Sequence, residues 1–446
     1  MNCIHVFSIV TNKQHWQAHA ILIYKYPHNP NRVNRHHKSI TMAALLFSLL
    51  ALFLSHHPST VSARCGTIDQ GSTLQVLHVN SPCSPFRPKS LSWVNSGRTI
   101  TQNPTYIVRV NIGTPPQQLL VALDTSNDAA WIPCTGCVGC SSSTFDPAKS
   151  STFKPLPCGS PQCSQNVYDL KYKIQGAACG FNTTYGSSSI SAGLVQDNIT
   201  LATDSIRDYT FGCVQKTTGS SFPAQRLLGL GRGPLSLMNQ STSLYQSTFS
   251  YCLPGYKSTN FAGSLRLGPH SQPLRIKTTP LLRNPRRSSL YYVNLVSIRV
   301  GGRIVHIPPS AFAFDPNTGA GTIFDSGTVF TILVKPAYVA VRDEVRRRMH
   351  GAAVSSLGGF DTCYDGAAIV VPTITFMFTG MNVTLPQENF VIRSSGGSIS
   401  CLAMAAAPEG SVNSGLNVIA SFQQQNHRIL IDGPSSKLGV AREACT

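Results

Sequence analysis

Two aspartates stand in matching surroundings, 201 positions apart in a chain of 446 residues. The first ends the apolar run Val121-Ala122-Leu123-Asp124 and opens the polar turn Thr125-Ser126-Asn127. The second sits in Thr322-Ile323-Phe324-Asp325-Ser326-Gly327-Thr328. An acid followed by a small hydroxyl residue is ordinary turn chemistry, so one such motif carries little weight. Two of them suggest two lobes that each contribute a carboxylate to a shared site. Carboxylates held within hydrogen-bonding distance cannot both ionise cheaply, and the pair shares one proton over a wide pH range. The ionised member can take a proton from a water held between them. The protonated member can polarise a peptide carbonyl and later protonate the leaving amine. That chemistry requires no cofactor, no metal and no covalent intermediate. The neighbours suit it. Thr125 and Ser326 offer equivalent hydroxyls for bonding the opposite lobe's backbone, and Asn127 and Thr328 can donate to the outer carboxylate oxygens.

The elements that must position these groups read as short strands. Pro and Gly are plentiful (29 and 35), charged residues make up only 12%, and runs rich in Val, Ile, Thr, Tyr and Phe are broken by turn residues. That is a β-rich signature with few long helical periodicities. Residues 106–112 read as a strand, 113–118 as a turn, and 119–123 as the strand that leads into Asp124. Thr184-Tyr185-Gly186-Ser187-Ser188-Ser189 reads as a hairpin tip carrying an aromatic, with strands expected at 199–201 and 209–213. Leu227-Leu228-Gly229-Leu230-Gly231-Arg232-Gly233 has no Lys-Ser/Thr ending and is read as a buried strand whose glycines admit close backbones, rather than as a phosphate loop. Its counterpart is Val418-Ile419-Ala420-Ser421-Phe422. Gly229 follows Asp124 by 105 residues and Ala420 follows Asp325 by 95, so two landmarks recur in the same order. A seam near 280–290 separates the halves.

The formal charge of +18 invites a nucleic-acid reading, but residues 1–103 carry +8 of it and the remaining 343 only +10. A diffuse excess sets solubility rather than naming a partner, and no reader motif is present. The cluster Arg346-Arg347-Arg348 ends a helical pattern and is read as a solvated helix face. Fourteen cysteines point to an oxidising compartment. Cys134, Cys137, Cys140, Cys158, Cys163 and Cys179 are read as stapling a loop insertion rather than binding zinc. Setting Cys3 aside and pairing Cys65 with Cys83 leaves eleven, hence one thiol or one lost partner, with residues 167–176 the suspected place of loss. Met42 opens an apolar run of signal-peptide length, and Val61-Ser62-Ala63 supplies small residues for cleavage. Residues 1–41 hold no acid and displace that run from the N-terminus. Either translation begins at Met42 or 1–41 is a plastid-type transit segment; the first reading is preferred. The expected division is therefore an extension of doubtful translation (1–41), a signal peptide (42–63), a removable prosegment without a clear core pattern (64–103), an N-terminal lobe (104–285) and a C-terminal lobe (286–446). Asn182, Asn198, Asn239 and Asn382 head four glycosylation sequons.

On these motifs the chain resembles the pepsin-type aspartic proteases, and within them the plant nepenthesin-like branch, from about Tyr106 to Arg442. Trp131 and Tyr185 fall where that family has its tryptophan and its flap tyrosine, which bond over the substrate. The cysteine-rich stretch 134–179, Thr279-Pro280-Leu281-Leu282, Tyr291-Tyr292-Val293 and Gln423-Gln424-Gln425-Asn426-His427 add to the likeness. The resemblance implies a mainly β, bilobal fold with a cleft between pseudo-symmetric lobes. It implies a monomeric, secreted acid endopeptidase of the apoplast, with Asp124 and Asp325 as its dyad. Its partner is a peptide or protein substrate, with no nucleic acid and no membrane. A plastid location is the minority reading. The sequence departs from the family's Asp-Thr-Gly-Ser at Ser126 and Asn127, and Ala420 stands where a glycine is expected. The alternative is a catalytically weak or inactive pepsin-fold binding protein, since some plant relatives inhibit microbial glycosidases without proteolysis. Retention of both aspartates favours the enzyme.

Overall fold

The computed structural model of the protein describes residues 69–86, 106–140, 143–164, 171–172, 179–185, 188–219, 226–255, 262–273, 275–350, 352–366, 369–394, 397–411 and 413–445. The expected extension, signal peptide, Cys65 and most of 167–176 lie outside them. Strands dominate, as the punctuated apolar runs require. Each half of the chain builds the same small unit around its aspartate. In the first half, Gln117–Asp124 pairs antiparallel with Tyr106–Ile112 and parallel with Leu227–Gly229, with Gly229 opposite Asp124. In the second half, Gly321–Asp325 pairs antiparallel with Tyr291–Val293 and parallel with Leu416–Ala420, with Ala420 opposite Asp325. The correspondence extends to the return strands, where Trp131 faces Leu227 and Ile332 faces Val418, both antiparallel. The two landmarks paired from the sequence therefore occupy equivalent register positions. Parallel strands covered on both faces need continuous apolar residues, and Gly321–Asp325 and Leu416–Ala420 are buried throughout.

The halves meet in one antiparallel sheet of six strands. Its order is Thr73–His78, Ala262–Leu267, Thr248–Cys252, His427–Asp432, Lys437–Arg442 and Lys277–Leu282. The central pairing, Thr248–Cys252 with His427–Asp432, joins the two halves of the chain, and a disulfide between Cys252 and Cys445 closes one end of it. Residues 69–86 carry more structure than the sequence reading allowed. Leu74 and Val76 are fully buried, and Phe86 lies under the Arg226 guanidinium, 5.6 Å from the ring centre.

Two strands are far longer than expected. Ser188–Leu201 and Asp204–Thr218 form one extended hairpin, absorbing the predicted short strands at 199–201 and 209–213. Its first strand also pairs with Gly180–Tyr185, where Tyr185 faces Ser188 at the expected tip. The cysteine-rich stretch is disulfide-linked, through Cys137–Cys140 and Cys163–Cys179. Cys134 reaches outside it to Cys213, fastening adjacent parallel strands. Cys83 is disulfide-bonded to a partner outside the described residues, and Cys158 carries a thiol.

Helix Lys335–Arg348 buries Ala337, Tyr338, Val341 and Val345 and collects Arg346, Arg347 and Arg348 in its last turn, where cations complement the helix dipole. Glu344 bonds Arg347 and Arg348, and Asp361 pairs with Arg342 and Arg346. The cluster is an ion-paired helix face.

Candidate active site

Asp124 and Asp325 each stand at the last residue of a buried strand and are 1% and 5% exposed. The turns after them face one another and clasp. The Thr125 amide donates to Ser326 Oγ at 3.2 Å, and the Ser326 amide donates to Thr125 Oγ1 at 2.9 Å. These reciprocal bonds join residues 201 apart. A Cβ placed on Gly327 would lie 2.3 Å from Asp124 Oδ2, so the second loop packs directly on the first carboxylate and tolerates only glycine there.

Donors surround both acids. Asp124 Oδ1 accepts from the Ser126 amide and the Ser126 hydroxyl, each at 2.7 Å, and Oδ2 accepts from Asn127 Nδ2 at 2.7 Å. Asp325 Oδ1 accepts from the Gly327 amide at 2.7 Å, and Oδ2 from Thr328 Oγ1 at 2.6 Å. Asn127 and Thr328 thus occupy equivalent places, as their spacing from the acids required. Ser126 turns its hydroxyl back onto its own aspartate, so the side chain in the glycine position becomes a further donor. Ala420 is also accommodated. It is fully buried beside Tyr292, Ile323 and Val418, whereas a methyl on Gly229 would meet the Asp128 carbonyl oxygen at 2.3 Å.

Several residues that sequence reasoning passed over hold this arrangement. Asp128 is 4% exposed; its Oδ1 accepts from the Gly233 amide at 2.7 Å and its Oδ2 from Ser289 Oγ at 2.6 Å. Gly231 and Gly233 make room for that carboxylate, since a Cβ on either would lie 2.4 or 1.9 Å from it. Leu230 and Gly231 donate their amides to the Asp124 and Asn127 carbonyls at 2.8 Å, fastening the same segment to the Asp124 turn. The available signal was an acid beside Ala129, Ala130 and Trp131, a buried charge that demands partners. Beneath the clasp, Tyr251 Oη donates to Gln424 Oε1 at 2.6 Å, and Gln424 Nε2 donates to the Asp325 and Ile419 carbonyls at 3.2 and 2.8 Å.

Of the other predicted residues, Trp131 is 1% exposed and packs edge-on to Phe181 of the hairpin, with ring centres 6.4 Å apart. Tyr185 ends the hairpin strand; its side chain and the tip residues Gly186 and Ser187 lie outside the described set. Asn182, Asn239 and Asn382 are exposed, while Asn198 is half-buried with its Nδ2 3.3 Å from Thr114 Oγ1.

The chain matches two family models, described as Xylanase inhibitor N-terminal over residues 106–269 and Xylanase inhibitor C-terminal over 290–442. It is 44% identical over 441 residues to Aspartyl protease AED3 of Arabidopsis thaliana, covering 90% of this chain and 98% of the relative. The chain belongs to the pepsin-like aspartic protease family. Another member, Aspartyl protease 25 of Oryza sativa subsp. japonica, is 47% identical over 362 residues, covering 77% of this chain and 82% of the relative. Among solved pepsin-like folds, the crystal structure of edgp superposes with a TM-score of 0.63 at 18% identity, over 83% of this chain and 95% of that one. At that identity the likeness is one of fold.

Proposed function

We propose that this protein is a secreted aspartic endopeptidase in which Asp124 and Asp325 form the catalytic dyad. The observation that carries the reading is the reciprocal clasp of Thr125 and Ser326, which binds the two aspartate turns together. The ionised aspartate takes a proton from the bridging water, whose oxygen attacks the peptide carbonyl. The protonated aspartate hydrogen bonds the carbonyl oxygen as it gains charge, and its proton passes to the departing amine. Thr125 and Ser326 hold the loops, while Asn127 and Thr328 keep the carboxylates oriented toward the cleft. Tyr185 acts from the flap, and Trp131 supports its hairpin. Pepsin-type enzymes are themselves the reference example of a carboxylate pair sharing one proton, so the principle is borrowed from them. It leads to an acid pH optimum.

The same reading assigns residues 42–63 as a leader, 64–103 as a prosegment, and 104–285 and 286–446 as the lobes. Five disulfides between described cysteines suit an oxidising compartment, and the apoplast is the proposed destination. A monomer is proposed because one chain supplies both aspartates; neither nucleic acid nor membrane is needed. The substrate is a peptide or protein.

A second reading is favoured by the inhibitor descriptions of the matching models and by Ser126 in a glycine position. In it the protein is a weakly active or inactive binding protein of the cell wall. Cleavage of a denatured protein from about pH 2.5 to 7, with and without pepstatin, separates the two. Acid-optimal, pepstatin-sensitive cleavage that disappears in Asp325→Asn supports the protease; a folded wild type that never cleaves supports the binding protein.

A further inference from the structure

We propose that Tyr251, acting with Gln424, is a positioning residue that sets the geometry of the aspartate dyad from beneath the clasp. This inference rests on the endopeptidase reading. Tyr251 belongs to Thr248–Cys252, the strand of the six-stranded sheet that joins the halves, where it stands opposite Ile429. It is 2% exposed, and its hydroxyl is bonded to Gln424 in the interior.

The directions of the bonds follow from the chemistry of the groups. Gln424 is 1% exposed, and its amide nitrogen donates to two carbonyls, Asp325 at 3.2 Å and Ile419 at 2.8 Å. Its oxygen must therefore point at Tyr251, and an amide oxygen only accepts. The single phenolic proton goes to Gln424 at 2.6 Å. On the facing turn, Thr125 Oγ1 presents a lone pair to the Ser326 amide at 2.9 Å. The chain of bonds runs from Tyr251 through Gln424 to the Asp325 carbonyl, which belongs to the same peptide group as that Ser326 amide. Burial, reinforced by the nearby charge of Asp325, pushes the phenol well above its ordinary range and keeps it a donor.

Across the clasp, Ser326 Oγ directs its proton to the Leu123 carbonyl at a long 3.4 Å, so the second turn depends on the Gln424 bond to Asp325 for its other support. Tyr251 is thus the link through which sheet and dyad share one geometry. Substrate does not touch it, so its loss acts on the alignment of reacting groups rather than on binding.

The test compares wild type with Tyr251→Phe, which keeps the ring and removes the hydroxyl, after titrating active sites with pepstatin. The expected result is a fall in kcat per titrated site of about tenfold or more, with KM changed less than about threefold. A role confined to folding would lower the titrated fraction and leave kcat per site unchanged, and that result overturns the proposal. Gln424→Met, which keeps Thr125 and Tyr251, is expected to give the same split; it serves where Tyr251→Phe does not fold, and an unchanged kcat per site there is equally fatal. A wild type that cleaves nothing sinks the endopeptidase reading, but the link is still decided by amide exchange at Ser326. Exchange there should quicken by about tenfold or more in Tyr251→Phe, and unchanged exchange overturns the link.

Discussion

Ser289 donates its hydroxyl to Asp128 Oδ2 at 2.6 Å, joining the Asp124 turn of one half to the seam that opens the other. The acid is buried, so its charge must be met by hydrogen bonds at both oxygens, and the Gly233 amide supplies the second. Nearby, Tyr291 Oη donates to the Leu230 carbonyl at 2.6 Å and Arg232 Nη1 to the Leu282 carbonyl at 2.8 Å, so the glycine run is pinned to the seam at several points.

Removing Asp128 strands these donors. Asp128→Ala should cost about 3 kcal/mol of stability, and Ser289→Ala about 1 kcal/mol. Asp128→Asn keeps an acceptor for Gly233 and should fall between them. Urea denaturation of the three variants checks the order, and an Asp128→Ala variant as stable as wild type removes the anchoring role.

The equivalent register positions opposite the two aspartates predict an asymmetry. Gly229→Ala drives a methyl to within 2.3 Å of the Asp128 carbonyl oxygen, and backbone cannot yield as a flexible side chain can. A loss of about 3 kcal/mol or failure to fold is expected. Ala420→Gly removes a buried methyl and adds chain freedom, at about 1 kcal/mol. Paired thermal melts test this, and equal effects at the two sites refute it.

Arg346, Arg347 and Arg348 should not make the chain a nucleic-acid binder. Glu344 is 13% exposed, and its two arginine partners hold its carboxyl at about 2, so those ion pairs persist through acid conditions. Binding of a DNA duplex is expected to be negligible at about 0.15 M salt. Tight binding that weakens steeply with added salt would restore the nucleic-acid reading.

Legibility in the sequence followed the range of each signal. The two aspartate turns, their hydroxyl neighbours and the Gly229 and Ala420 landmarks are contiguous patterns written twice, and the structure places them in equivalent positions. The strand Thr73–His78 was not legible, because Leu74 and Val76 alternate over too few residues. It is pairing with Ala262–Leu267 that makes them a strand. The long hairpin was hidden by Ser189, Ser191, Gly193 and Asp197, polar or small residues that a long-range partner strand nevertheless holds extended. Tyr251 with Gln424 and Asp128 with Ser289 are separated by 173 and 161 residues, and nothing local announces either pair.

His78 should make the attachment of its strand sensitive to acid. The ring meets Tyr106 edge-on at 5.3 Å, and its Nδ1 accepts from the Asn80 amide at 3.1 Å. Burial lowers its pKa from 6.5 to about 4, because the charged ring would lose water in that site. The unfolded chain takes up a proton near pH 6.5 while the folded chain waits until about 4. Below 6.5 the unfolded state therefore binds more protons, and stability falls until about pH 4, then levels. The loss is roughly 3 kcal/mol over that window. His427 is buried too, with its pKa lowered chiefly by burial, and adds a loss of the same sign at the other half of the joining sheet. His78→Phe keeps a ring against Tyr106 and cannot titrate. Denaturation of the full chain at about pH 7 and pH 4.5 should show a smaller acid-induced loss in His78→Phe than in wild type. If both lose the same stability, the acid sensitivity belongs to other groups and the strand is not held by a neutral imidazole.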